Sequence, residues 1–362
     1  MTIKIDMDKI NKIIHGDTIE ELKKMPDKSI DLIFADPPYW MQTEGELLRT
    51  DGSKFSGVND AWDKFSSFEE YDNFTFQWLK ECKRVLKDSG SIWVIGSFQN
   101  IFRLGYIMQN LGFWILNDVI WNKPNAVPNF GGTRFKNAHE TLIWCSKSKN
   151  SKFTFNYKTM KFLNNDIQDK SVWDIGICIG NERLKDETGS KVHSTQKPEK
   201  LLYKVILSSS KPNDIILDPF MGSGTTGAVA KKLGRNFVGI EREEKYIKAA
   251  NKRIEKVLFE NNDLHNLKYE IKPPKISTKQ LIDNGYLKIN EELFDKKGKF
   301  IGYLTENGYV NDKIETLSIH KMAAKHKGVD NYNGWDFFWI KNKNNKLISI
   351  DELRYICNSN IE

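Results

Sequence analysis

Apolar and polar positions along the chain follow two different periods. Short apolar runs bounded by Gly, Pro, Asn or Asp read as buried strands. Stretches with apolar residues three and four apart read as helices. The strand-like runs are Lys12 to Asp17 (ending in a turn), Ile30 to Ala35, Ser91 to Gly96, Phe113 to Trp121, His139 to Cys145, Lys152 to Tyr157, Asp214 to Asp218 and Asn236 to Glu241. The helical stretches are Glu20 to Lys24, Ser67 to Lys87, Phe98 to Leu111, Glu199 to Ser210, Thr226 to Leu233 and Glu243 to Phe259. In the Ser67 helix, Ser67 caps with Glu70, the apolar stripe is Phe74, Trp78, Leu79, Cys82, Val85 and Leu86, and Gly90 suits the end. Strands alternating with helices, and runs rich in Val, Ile and Leu, predict an α/β fold with a doubly wound, mostly parallel sheet.

Two regions depart from this alternation. Periodicity is lost between Trp40 and Trp62, and a loop that long in a compact domain is usually functional. Leu47, Leu48 and Arg49 within it combine an apolar wedge with a cationic clamp suited to entering a nucleic-acid duplex. After Lys272-Pro273-Pro274-Lys275 the pattern becomes that of a small α+β domain. Hairpin strands are expected around Asn307-Gly308, a helix at Thr316 to Lys325, and strands at Trp335 to Ile340 and Lys346 to Ile350. Trp335, Phe337, Phe338 and Trp339 read as its core. The expected division is a first domain at 1–262, a linker at 263–275 and a second domain at 276–362.

Composition agrees with two soluble domains: 362 residues, 39% hydrophobic and 28% charged. No apolar run is long enough for a membrane span, and the charged N-terminus is unlike a signal peptide. The four cysteines are scattered without a Cys-x-x-Cys pair, which predicts no structural metal and a cytoplasmic setting. The net charge of +7 is matched by one stretch: Asn122 to Lys161 holds eight basic residues, among them Lys123, Arg134 and Lys136, and one acid, Glu140. That concentration suits a polyanion-binding surface, and 122–191 is the expected target-recognition region. His139 and His193 are expected to be structural.

Two motifs carry chemistry. Asp36-Pro37-Pro38-Tyr39 follows the Ile30 strand, at the edge where open α/β sheets bind ligands. A carboxylate, a rigid proline carbonyl and an aromatic face suit a planar ring bearing an exocyclic amine. Asp218-Pro219-Phe220-Met221-Gly222-Ser223-Gly224 is a glycine turn between strand and helix. Glu241, at the end of the next strand, is placed for ribose hydroxyls, so this half is expected to bind an adenosine-containing cofactor.

Together the motifs resemble the amino-methylating DNA methyltransferases. Their order resembles the β class of adenine-N6 enzymes. Phe34 to Tyr39, the Leu48-Arg49 loop, His193-Ser194-Thr195-Gln196-Lys197-Pro198 and the C-terminal domain are similar to the HinfI-type and CcrM-like group, which acts within GANTC. The resemblance implies a permuted methyltransferase fold, S-adenosylmethionine as cofactor and duplex DNA as substrate. It assigns Asp36, Pro37, Pro38 and Tyr39 to the target adenine. It assigns Asp17, Gln196, Lys197, Pro198, Asp218, Phe220, Gly222, Gly224 and Glu241 to the cofactor. Leu48, Arg49, Asn122, Lys123, Arg134 and Lys136 are the expected DNA contacts, and a homodimer and a cognate restriction endonuclease the expected possible partners. Alternatives are cytosine-N4 methylation, where Ser usually replaces Asp36, RNA methylation, a catalytically idle DNA-binding regulator, and a nicotinamide dehydrogenase built on the Gly222–Gly227 spacing.

Overall fold

The computed structural model describes residues 7–40, 47–48, 54–55, 63–129, 132–187, 189–193, 195–271, 274–342 and 344–359. The chain divides into two compact units, Met1–Glu270 and Ile271–Glu362.

In chain order, the strands and α-helices of the first unit begin with β1 (Lys12–His15), α1 (Thr18–Lys23), β2 (Ile30–Ala35), β3 (Leu47–Leu48), β4 (Lys54–Phe55), α2 (Phe68–Val85), β5 (Leu86–Gly96) and α3 (Ile101–Asn110). They continue with β6 (Trp114–Asn122), β7 (His139–Ser146), α4 (Tyr157–Leu163), β8 (Val172–Asp174), α5 (Glu199–Ser209), β9 (Ile215–Asp218), α6 (Thr225–Lys232), β10 (Asn236–Glu241) and α7 (Glu244–Glu255). One eight-stranded sheet takes the order β1-β10-β9-β2-β5-β7-β6-β8. The first five strands in that order are parallel, and β7 runs antiparallel to β5 and β6.

The continuous apolar run of β2 follows from helices on both faces. Leu32 and Phe34 enter one core with α5 and α6, and Ile33 and Ala35 enter the other with α2 and α3. The chain leaves β2 towards β5 on one side and leaves β9 towards β10 on the other. β2 and β9 are adjacent and parallel, so their carboxyl ends flank the point where the winding reverses. Such a point opens a crevice for ligands.

Several local expectations are corrected. The Ser67 helix is capped as expected, Ser67 accepting from the Glu70 N–H, but it stops at Val85 and Leu86 already belongs to β5. The β2–β5 register shifts between Ile30 and Leu32, and Gly90 lies in that irregularity. A Cβ on Gly90 would stand 2.8 Å from the Asp31 carbonyl oxygen, so the glycine serves close strand contact and not helix termination. Lys152 to Tyr157 is not a strand. Phe153 and Phe155 pack on Trp144, and Asn156 donates to the carbonyls of Leu207 and Ser210, tying this irregular segment to the end of α5. Residues 263–270 are not free linker: Leu267 is buried in the first unit's core, and the Glu270 carboxylate accepts from the Thr159 N–H.

The second unit contains α8 (Thr278–Asp283), β11 (Glu292–Phe294), β12 (Phe300–Leu304), β13 (Val310–Asn311), β14 (Thr316–Leu317), α9 (Ile319–Lys327), α10 (Gly334–Phe337), β15 (Trp339–Lys341), β16 (Leu347–Ser349) and α11 (Ile350–Ser359). Its strands form an antiparallel sheet in the order β14-β13-β12-β11-β15-β16. Trp335 and Phe337 lie on α10, so the expected Trp335 strand begins only at Trp339. Trp335, Phe337 and Phe338 do pack in the core.

Candidate active site

A cavity of about 300 Å³ opens at the carboxyl ends of β2, β9 and β10. Asp36, Pro37, Pro38 and Tyr39 form one wall, and Asp218, Phe220, Gly222 and Glu241 another. Asp17, Gln196 and Lys197 also face it. The fold thus joins motifs lying far apart in sequence, because β2 and β9 are neighbours.

Asp36 belongs to a buried charge cluster. The Lys197 ammonium donates to Asp36 Oδ2 at 2.8 Å and lies 5.0 Å from the centre of the Tyr39 ring. Glu140, from β7, accepts from the Tyr39 hydroxyl at 3.0 Å and from the Lys123 ammonium at 3.0 Å. Burial raises the Asp36 carboxyl, and Lys197 opposes that rise. Burial pushes Glu140 in the same direction, but Lys197 and Lys123 outweigh it and hold Glu140 below the usual carboxylate range. Burial and the two carboxylates raise the Tyr39 hydroxyl well above its ordinary value. Behind the motif, Tyr71 donates to the Pro38 carbonyl, and Asn100 donates to the Tyr71 hydroxyl. The Pro-Pro turn is therefore held from its buried side.

The other wall is held by neutral donors. Thr226 donates to Asp218 Oδ2 at 2.5 Å, and the Phe220 N–H to Oδ1 at 3.0 Å. Burial lifts the Asp218 carboxyl to about 7. Glu241 accepts from the N–H groups of Gly222 and Glu243, each at 2.8 Å, which fixes both its oxygens. Gly222 has φ +49°, and a Cβ there would stand 3.1 Å from the His193 ring. His193 also lines the cavity, packing on Tyr246 with burial pushing its imidazole down to about 4.

Several expected residues stand elsewhere. Pro198 caps α5 and Gly224 caps α6, and neither lines the cavity. A Cβ on Gly224 would meet the Ala250 Cβ at 2.6 Å, so this glycine serves helix packing. Gln196 lines the cavity, but its amide donates to the Glu182 carbonyl and accepts from the Leu184 N–H. Asp17 uses Oδ1 to cap α1. Lys123 is not a surface cation: it is buried against Glu140, which neutralises it and removes it from the expected phosphate contacts. Asn122 donates to Asp174. Arg134 and Lys136 are exposed, with the Arg134 guanidinium 5.1 Å from the Phe98 ring centre. The Leu48 backbone pairs with Lys54 in β3–β4, and Arg49 lies outside the described residues. Sequence reasoning counted Glu140 only as an acid in a basic stretch. Its isolation there was the signal that it had a dedicated partner.

Residues 30–252 match the N6/N4 methyltransferase family model described as DNA methylase. The chain belongs to this DNA methylase family. The methylase is 64% identical over 348 residues to the type II methyltransferase M.HinfI of Haemophilus influenzae, covering 96% of this chain and 97% of that protein. It is similar to M1.HpyAVI, solved as a complex with SAM, at 29% identity and a TM-score of 0.50, over 67% of this chain and 98% of that one. It shares the fold of the PvuII DNA methyltransferase, a cytosine-N4-specific enzyme, at 24% identity and a TM-score of 0.53, over 71% and 93% of the two chains. Among the described residues, no helix is long and apolar enough to cross a membrane.

Proposed function

We propose that the methylase transfers a methyl group from S-adenosylmethionine to N6 of an adenine flipped out of duplex DNA, within GANTC. The observation that carries this reading is the shared cavity: Asp36 and Tyr39 on one wall, the Gly222 turn and Glu241 on the other. The close similarity to M.HinfI supports the GANTC site. The residues present fit the cofactor. Gly222 keeps the turn free of a side chain, Phe220 offers a ring, and backbone N–H groups fix Glu241 to accept hydroxyls. Asp17 and Lys197 would complete its surroundings.

When bound, the cofactor supplies an electrophilic methyl group. The chain's own work is to prepare the amine. The adenine N6 lone pair is delocalised into its ring, so the nitrogen is a poor nucleophile. Asp36 and the Pro37 carbonyl accept its two hydrogens and favour a pyramidal nitrogen, while Tyr39 stacks on the ring. The N6 proton released by methylation passes to Asp36, the adjacent carboxylate. The wall can reach N6 only on an extruded base, at a cost of a few kcal/mol. Asp at position 36 favours adenine over the cytosine-N4 reading.

Methylation of a random duplex library, followed by sequencing of modified positions, tests this reading. N6-methyladenine confined to GANTC is expected, and N4-methylcytosine would overturn it. Exposed cations such as Arg134 and Lys136 would contact phosphates, joined by Leu48, Arg49 and Asn122. A homodimer, a restriction endonuclease of the same specificity and a cytoplasmic setting complete the reading.

The second unit is proposed to engage DNA. A chain ending at Glu270 keeps both cores of the first unit. It is expected to fold, show a cofactor-dependent rise in Tm and lose affinity for its DNA site. An insoluble protein, or unchanged DNA affinity, would remove this role.

A further inference from the structure

The amine proposed to bind Asp36 would meet an oxygen that already holds a cation. Lys197 Nζ lies 2.8 Å from Asp36 Oδ2 and 3.9 Å from Glu140 Oε2. The second distance is ion-pairing range without a hydrogen bond, so about one ångström of travel would change the partner. The Lys197 side chain is 7% exposed, Asp36 18% and Glu140 14%. Lys197 is nearly shielded from water, and Asp36 and Glu140 keep only a small exposed fraction. With Lys123, also buried, the cluster holds two ammonium groups and two carboxylates. Charge balance is therefore kept wherever Lys197 sits. Removing one member of such a cluster would strand a buried charge, whereas moving an ammonium between two carboxylates does not.

We infer that Lys197 has two seats: Asp36 while no target base is bound, and Glu140 once the target amine takes Asp36. The inference rests on the proposed role of Asp36. Lys197 and Glu140 are positioning residues here. In the empty site Lys197 compensates the Asp36 carboxylate. On base entry Glu140 receives Lys197, and Asp36 is released as an acceptor.

The charged and titratable groups facing Asp36 and Lys197 are Glu140 on β7 with Lys123 behind it, Tyr39 on the motif itself, Asp218 at the end of β9, and His193. Glu140→Gln keeps the shape and removes the second seat. Single-turnover methylation is expected to fall roughly tenfold, with cofactor affinity by calorimetry within about threefold. The acid limb of the rate profile should move to lower pH, because Asp36 loses a like charge and keeps Lys197. That shift follows from the lost charge alone, so the readout that a merely structural role would not move is the Lys197 ammonium signal of the wild-type protein. Tyr39→Phe removes a hydroxyl that bonds Glu140 and also helps keep the Asp36 carboxyl down, so its limb should move to higher pH, opposite to Glu140→Gln. An unmoved or upward limb in Glu140→Gln, or an unchanged rate, overturns the two seats.

Should that variant fail to fold, the wild-type protein decides. With ¹⁵N-lysine labelling, the Lys197 ammonium signal, assigned by its loss in Lys197→Met, should shift on adding target duplex. No shift overturns the inference. Asp36→Asn separates the two levels: normal turnover would sink the role of Asp36, whereas a dead Asp36→Asn beside an unmoved limb sinks only the two seats.

Discussion

The methylase places the same dipeptide, Asp-Pro, at the ends of two neighbouring parallel strands and gives the two acids opposite surroundings. Asp36 meets a buried ammonium, shared within a cluster that includes Glu140 and Lys123. Asp218 meets a hydroxyl and a backbone N–H. Both are raised by burial, but only Asp36 has a directly bonded cation opposing that rise. On the proposed reading Asp36 accepts hydrogens from a visiting amine and needs a compensating charge that can give way, whereas Asp218 is held by fixed neutral donors. Local sequence is nearly the same at both sites; the partners come from distant segments, and they set the difference.

The sharpest way to break this contrast is Asp36→Ala. Methyl transfer in a tritiated-methyl assay should fall by at least about 10²–10³-fold, while cofactor affinity stays within a few-fold. Normal turnover would make the two acids equivalent scaffolding.

Thr226→Val comes next, because it takes a donor from Asp218 without changing the shape of the side chain. The expected loss of stability is about 1–3 kcal/mol, read as a lower denaturation midpoint. A midpoint equal to wild type would show that the hydroxyl does not hold the acid.

The pH dependence of stability then separates Asp218 from a permanently ionised group. With its carboxyl raised to about 7, the folded protein binds a proton that the unfolded chain releases near pH 4. Its contribution to stability is fully present below pH 4 and is lost as pH rises towards 7. Asp218→Asn should therefore flatten the Tm profile of the cofactor-free protein between pH 5 and 7. Parallel profiles would place the Asp218 titration outside that window.

The smallest expected effect concerns exposed charge. Neutralising Arg134 and Lys136 should flatten the salt dependence of DNA binding by about one unit of slope per lost contact. Lys123→Met, by contrast, should leave the slope alone, because that ammonium is spent on Glu140. A slope change with Lys123→Met would return it to the DNA surface.

The sequence by itself determined the alternating fold, the two strand-end motifs and the class of chemistry. β2, β9 and β10 were legible because strands covered on both faces must be continuously apolar, and the chain shows it at residues 32–35, 215–217 and 237–240. Tertiary structure decided what pairing over long range decides. Lys123 read as a phosphate contact until β6 and β7 set it against Glu140. Gly224 read as a cofactor glycine until α7 was seen against it, and Lys152 to Tyr157 as a strand until its aromatic rings packed on Trp144. Hydrophobic periodicity records whether a position is buried, not which charge is buried beside it. Lys197 and Asp36 lie 161 residues apart, and no local pattern could have paired them.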